Sequence, residues 1–187
     1  MRIFVAVKPF PLEEEIGPFL SQWQRCSFPV KWVERENIHL TLVFLGEIES
    51  KKLPQVFLAI KKGIRGISSF SIYPQKIVCF PNWRNPRVLA LSFGGEIGLL
   101  IRAQRQIRAQ LLGFGFHLKE GKKFLPHLTL GRIKKRMGEA KKQILKKTLS
   151  RLPLGQKVEI NSVFVFQSQL FPQGPVYIRL KEFPLLQ

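Results

Sequence analysis

Asn37-Ile38-His39-Leu40-Thr41-Leu42 decides how this chain is read, because its core tetrapeptide returns as His127-Leu128-Thr129-Leu130, 88 positions further on. The chain holds 3 histidines, and two of them open this same quartet. Val43-Phe44-Leu45 follows the first copy, and Phe124-Leu125-Pro126 precedes the second. A run rich in Leu, Val, Ile and Thr that stops at glycine, here Gly46 and Gly131, predicts a strand in each place. Residues two apart on a strand share a face. His39 and Thr41 therefore point one way, as do His127 and Thr129, while Leu40, Leu42, Leu128 and Leu130 point into a core. Two such strands facing one another would bring two imidazoles and two hydroxyls together in one cleft.

Working outward, the chain alternates short strands with amphipathic helices. Arg2 to Lys8 alternates as a first strand, and Pro11 to about Cys26 follows as a helix. Glu13, Glu14 and Glu15 lie in its first turn, where they complement the dipole. Pro18 inside it predicts a late start or a kink. Val30 to Val33 is a short strand before the first motif. Ser50 to about Ile64 is a basic amphipathic helix with Leu53, Val56, Phe57 and Ile60 on one face. Three extended runs come next, Phe70 to Pro74, Lys76 to Phe80 and Arg87 to Phe93. A helix spans about Glu96 to Leu112 and closes at Gly113 and Gly115. After the second motif, a Lys-rich helix covers Gly138 to about Leu149. Val158 to Phe166 and Val176 to Leu180 finish as strands joined by a linker at Ser168 to Pro175. Because this order appears roughly twice, once around each motif, the expected fold is α+β. Two pseudo-two-fold-related lobes carry antiparallel sheets around a central cleft with helices on the outside, in a single domain over residues 1–187.

Bulk composition narrows the setting. With 187 residues, 45% hydrophobic and 23% charged, the chain is long enough to bury a core and too apolar for disorder. No stretch is long enough to span a bilayer as a helix. The first apolar run is too short for a signal sequence, and Lys8-Pro9 follows it without a cleavage site. Cys26 and Cys79, without a spacing motif, are expected to be buried free thiols and point to a cytoplasmic setting. Lys and Arg number 31 against 12 Asp and Glu, a formal net charge of +19. Such a surface attracts polyanions, and with no amphipathic anchor or lipidation motif, nucleic acid is favoured over membrane.

Two facing imidazoles suit acid–base chemistry. One takes a proton from the attacking nucleophile while the other gives one to the leaving oxygen. Threonine hydroxyls beside them can donate to oxygens on which negative charge develops. A tetrahedral phosphorus with two free and two ester oxygens matches this set, so the inferred reaction is phosphodiester cleavage without a metal. A zinc site would need further ligands, and only His117 and scattered carboxylates are on offer. A Ser or Cys triad would not use two copies of one motif.

These residues also resemble a known family. The paired His-x-Thr-x motifs are similar to those of the 2H phosphoesterases. The flanks Arg2-Ile3-Phe4-Val5-Ala6-Val7, Phe44-Leu45-Gly46, Pro86-Arg87-Val88-Leu89, Gly131-Arg132 and Gly174-Pro175-Val176-Tyr177 resemble the branch of RNA 2′,3′-cyclic phosphodiesterases, also called the 2′-5′ RNA ligase or LigT/ThpR type. That resemblance implies hydrolysis of a terminal RNA 2′,3′-cyclic phosphate to a 2′-phosphate without metal or cofactor, with 2′-5′ RNA ligation as a secondary activity. It implies His39 as proton donor to the departing 3′-oxygen, His127 as the base that activates water, and Thr41 and Thr129 as phosphate ligands. It further implies Arg132 stacked on the terminal base opposite Phe4. The partner is RNA with a 2′,3′-cyclic phosphate terminus, with no membrane, and the expected state is a monomer.

Strict alternation puts Arg132 on the face opposite His127 unless a bulge at Gly131 restores it. Lys122, Lys123, Lys134, Lys135 and Arg136 either follow phosphates along an RNA 3′ end or form a solvated edge. Lys141, Lys142, Lys146 and Lys147 read as a solvated helix face, and Tyr177 and Ser168 as strand and turn packing. Two rivals stay open: an RNA-binding protein without catalysis, and a 2H enzyme acting on small nucleotides such as ADP-ribose cyclic phosphate or 2′-5′ oligoadenylates.

Overall fold

The structure is a computed structural model that describes residues 1–119 and 124–187. Its strands are β1 (Arg2–Val7), β2 (Val30–Trp32), β3 (Leu40–Glu47), β4 (Phe70–Phe80), β5 (Val88–Gly95), β6 (His127–Ile133), β7 (Val158–Ile160), β8 (Ser162–Leu170) and β9 (Pro175–Pro184). The helices are α1 (Leu12–Gln24), α2 (Leu53–Gly63), α3 (Ile97–Gly113) and α4 (Glu139–Leu149). None of them is long and apolar enough to cross a membrane.

All 9 strands join one antiparallel sheet in the order β7-β4-β5-β6-β3-β1-β8-β9, with β2 paired to β6 off this path. The two motif strands sit at the centre of that order. They meet through a single residue pair, Leu40 opposite Leu128. Around this seam β1–α1–β3–α2 answers β5–α3–β6–α4, so the expected α+β pair of pseudo-symmetric lobes is present, fused into one sheet.

The two faces of the sheet have different chemistry. Ile3, Val5, Leu40, Leu89, Leu91 and Leu128 face the helices and pack with Leu20, Ile60, Ile107 and Leu145 in the main core. A separate apolar cluster, Phe4, Ala6, Phe164 and Phe166 with Tyr177 against it, lies on the opposite face. That second face is the cleft.

Several boundaries differ from the sequence expectation. Phe70 to Phe80 forms one strand, because a register shift between Pro74 and Lys76 absorbs Gln75 as an extra residue. Val158 to Phe166 splits in two at Asn161, and β7 pairs with β4 whereas β8 pairs with β1. The carbonyl of Asn161 accepts from the Leu185 amide, which holds the crossover between lobes. The expected linker at Ser168 to Pro175 is mostly ladder, since Ser168 pairs with Tyr177 and Leu170 with Pro175. Cys79 is buried, but Cys26 is exposed.

The glycines do not end the motif strands. The second motif strand runs through Gly131 because β2 packs onto it there: a Cβ at Gly131 would lie 2.7 Å from Val30 Cγ1 and 3.0 Å from Trp32 Cε3. The Gly131→Ala substitution is therefore expected to destabilise the fold by about 1–3 kcal/mol through overpacking, read by urea unfolding. An unchanged midpoint would show that β2 yields freely at this position.

Candidate active site

Antiparallel pairing of Leu40 with Leu128 sets the positions of their neighbours. Carried one residue either way, the register puts His39 opposite Thr129 and Thr41 opposite His127. Leu40 and Leu128 are fully buried on the core side, so all four polar side chains emerge on the cleft side. The histidines occupy one diagonal of this group and the threonines the other. A ladder diagonal spans about 7–8 Å, close enough to hold a phosphate between the rings.

Both imidazoles are held in the same way. His39 Nδ1 lies 2.7 Å from the carbonyl oxygen of Asn37, and His127 Nδ1 lies 2.8 Å from that of Leu125. A carbonyl only accepts, so each Nδ1 carries the proton and each neutral ring keeps its lone pair on Nε2. The Thr41 hydroxyl donates to His39 Nε2 at 2.9 Å. Asn37 is itself anchored, its Nδ2 donating to the Pro175 carbonyl at 3.0 Å. The β8–β9 hairpin thus steadies the first motif.

Identical quartets meet unlike surroundings. His39 sits among aromatics, with its ring 5.0 Å from Phe4 and 5.2 Å from Tyr177, the latter edge-on. Burial lowers its pKa from 6.5 to about 4, the Asn37 carbonyl opposes that shift, and the charges of Lys8 and His127 add to it. His39 is therefore neutral near pH 7 in the free protein. His127 touches one aromatic, Phe80, at 5.0 Å and edge-on.

Arg132 joins the cleft through a bulge. In the β5–β6 ladder Ala90 pairs with Thr129 but Leu89 pairs with Gly131, so Leu130 is the extra residue. The alternation shifts by one, and Arg132 falls opposite Val88, on the face that carries Ala90 and Ser92. Its charge reaches Tyr177, whose pKa burial raises and Arg132 and Arg2 pull back. The first motif repeats the device, since Ala6 pairs with Thr41 but Val5 with Val43, leaving Leu42 extra. Phe44 consequently occupies, five positions after His39, the place that Arg132 holds five positions after His127.

The other expected residues fare differently. Phe4 lies on the cleft side but is only 2% exposed, packed under His39, Phe44, Phe166 and Tyr177. It forms the floor, and the aromatic open to a base is Phe44, which is 63% exposed. Tyr177 belongs to the site and not merely to strand packing. His117 is exposed. Lys122 and Lys123 lie outside the described residues. Phe80 and Phe44 carried no signal beyond their motif flanks, although the matching spacing of Phe44 and Arg132 after each histidine could have revealed the former.

Comparison with known proteins places the chain. The family model described as LigT-like phosphoesterase matches residues 10–90 and 96–177. The chain belongs to this family. An RNA 2′,3′-cyclic phosphodiesterase of Archaeoglobus fulgidus is 34% identical over 98% of this chain and 99% of its own length. A protein of the same name from Thermotoga maritima is 30% identical over 97% of this chain and 94% of its own length. Among solved structures, TT0787 of Thermus thermophilus superposes with a TM-score of 0.78 at 30% identity, covering 99% of this chain and 98% of that one. E. coli LigT complexed with 3′-AMP shares the fold, with a TM-score of 0.74 at 23% identity and coverage of 100% and 98%.

Burial of a neutral His39 couples stability to pH. Its folded-state pKa near 4 lies below the ordinary 6.5, so between those values the unfolded chain binds a proton that the folded chain refuses. The stabilisation is complete above about pH 6.5 and is lost as pH falls toward 4. Over that interval the wild type is expected to lose roughly 3 kcal/mol more than His39→Gln, measured by denaturant unfolding at each pH. Equal losses would contradict the burial of a neutral ring.

Proposed function

We infer that this chain hydrolyses the 2′,3′-cyclic phosphate at an RNA terminus, leaving a 2′-phosphate, with His39 and His127 as its acid–base pair and no metal. The observation that carries this is the diagonal of two identically tethered imidazoles on one face, each flanked by a threonine hydroxyl. The full-length similarity to proteins named RNA 2′,3′-cyclic phosphodiesterase supports the substrate, and the net charge of +19 suits a polyanion. Residues 1–187 act as one bilobal unit, and since one copy holds both motifs, a monomer suffices.

In the proposed reaction the His127 Nε2 lone pair takes a proton from water as the water oxygen bonds to phosphorus. The P–O3′ bond breaks, and the departing 3′-oxygen takes a proton from His39. Thr41 and Thr129 hydroxyls donate to the non-bridging oxygens. His39 is neutral in the free protein, so its acid role requires a proton taken up with the substrate. An anionic phosphate beside the ring favours that charged form and opposes the effect of burial. Arg132 and Phe44 flank the terminal base. A 5′-hydroxyl in place of water would give a 2′-5′ linkage by the same steps.

Each of His39→Ala and His127→Ala is expected to lower kcat by about 10²–10⁴ on an oligonucleotide with a 2′,3′-cyclic phosphate end, while RNA binding and activity of the wild type in excess EDTA persist. End-group analysis should find 2′-phosphate accumulating. Salt-sensitive binding without turnover would instead favour an RNA-binding protein, and equal rates on a cyclic mononucleotide and a long oligomer would favour small nucleotides.

A further inference from the structure

Away from the histidines, at the far end of the β5–β6 ladder, lies a cavity of about 530 Å³ whose lining includes six cationic residues: Arg84, Arg87, Lys134, Lys135, Arg136 and Lys142. We propose that this cavity is a second phosphate-binding site, which holds the backbone of the RNA strand several nucleotides upstream of the end being processed. It rests on reading the cleft as an RNA-terminus site.

The walls are built, not merely charged. The Arg87 carbonyl accepts from the Ile133 amide at 2.9 Å, and the Lys134 amide donates to the Pro29 carbonyl at 2.7 Å. Asn82 Oδ1 accepts from the Asn85 amide at 3.0 Å, which closes the turn carrying Arg84. Lys142, expected on a solvated helix face, has a side chain only 12% exposed and donates to the Arg84 carbonyl at 3.1 Å. This lysine ties α4 to that turn.

Charge balance points to an anion. Among the described residues Lys142 alone of the six has a carboxylate partner, Glu139 at 3.3 Å. The mutual repulsion of the other five is relieved when a phosphate enters, and guanidinium groups match phosphate oxygens two at a time. A volume of this size suits a ligand of several phosphates more than a single ion.

Position favours an RNA backbone over a free polyphosphate. Arg132 stands on the cleft face, and past Ile133 come Lys134, Lys135 and Arg136, so the chain carries cationic residues from the cleft side to the cavity. Ile133 lies six residues along β6 from His127, roughly 20 Å at about 3.3 Å per residue.

The test compares wild type with the Arg84→Gln/Arg136→Gln double variant, both positions being exposed, and with Arg84→Lys/Arg136→Lys. Two measurements are made: kcat/KM on a 2′,3′-cyclic mononucleotide and on a 12-nucleotide RNA with the same end, and anisotropy of that RNA across a salt series. In the glutamine variant the preference for the long substrate is expected to fall roughly tenfold, and the slope of log affinity against log salt to fall by about 1–2. The lysine variant should recover most of both. An unchanged preference and slope in a variant that melts like the wild type would overturn the proposal, as would equal losses on both substrates. Were no substrate turned over by any form, the anisotropy arm would still read the cavity, so a failed hydrolase and a failed subsite are distinguishable. Inorganic tripolyphosphate serves as the second probe: binding that the glutamine variant abolishes, with RNA affinity untouched, assigns the cavity to a free polyphosphate and sinks the RNA proposal.

Discussion

One residue pair organises this molecule. Leu40 and Leu128 face each other where β3 meets β6 and are fully buried, and alternation along a strand then leaves their neighbours no choice but the other face. A slip of one residue would drive both histidines into the helix-packed core and expose the leucines, at the cost of burying two imidazoles without their carbonyl partners. The hydrophobic effect, acting on two leucines, thus aligns the polar set.

Around this seam, near-identical sequence acquires unlike chemistry. Each histidine is pinned through Nδ1 to a carbonyl two residues earlier, yet the aromatic wall of Phe4, Phe166 and Tyr177 dries the first lobe. Burial there holds His39 well below its usual range. The wall beside His127 is lighter, formed by Phe80, Val88, Ala90 and Ser92, with Arg132 open to solvent at its rim. In the proposed reaction an anion beside the buried ring favours its protonated form, so substrate affinity and acid strength would be linked.

Much of this was legible in the residues themselves. The repeated quartet, its leucine and histidine faces and the two-lobed order follow from period-two patterning, and the bulge needed to turn Arg132 into the cleft was deducible from the mismatch with alternation. Other features were not local. Asn161 divides a continuous apolar run because β7 and β8 pair with partners in different lobes, and only tertiary pairing can reveal that. Alternation alone reads Phe4 as core and the family resemblance reads it as a stacking surface; only the neighbouring Phe44, exposed where Phe4 is buried, decides between them. Lys142 looks like any exposed helix lysine because its partner, the Arg84 carbonyl, is 58 residues away.

The most direct measurement of the central claim is a crystal structure with a nucleoside 2′-phosphate bound. Its phosphorus should sit between the two imidazoles, within hydrogen-bond reach of both Nε2 atoms, with Thr41 and Thr129 on the free oxygens. A phosphate held by one ring alone, or lodged elsewhere while the diagonal stays empty, would contradict the account.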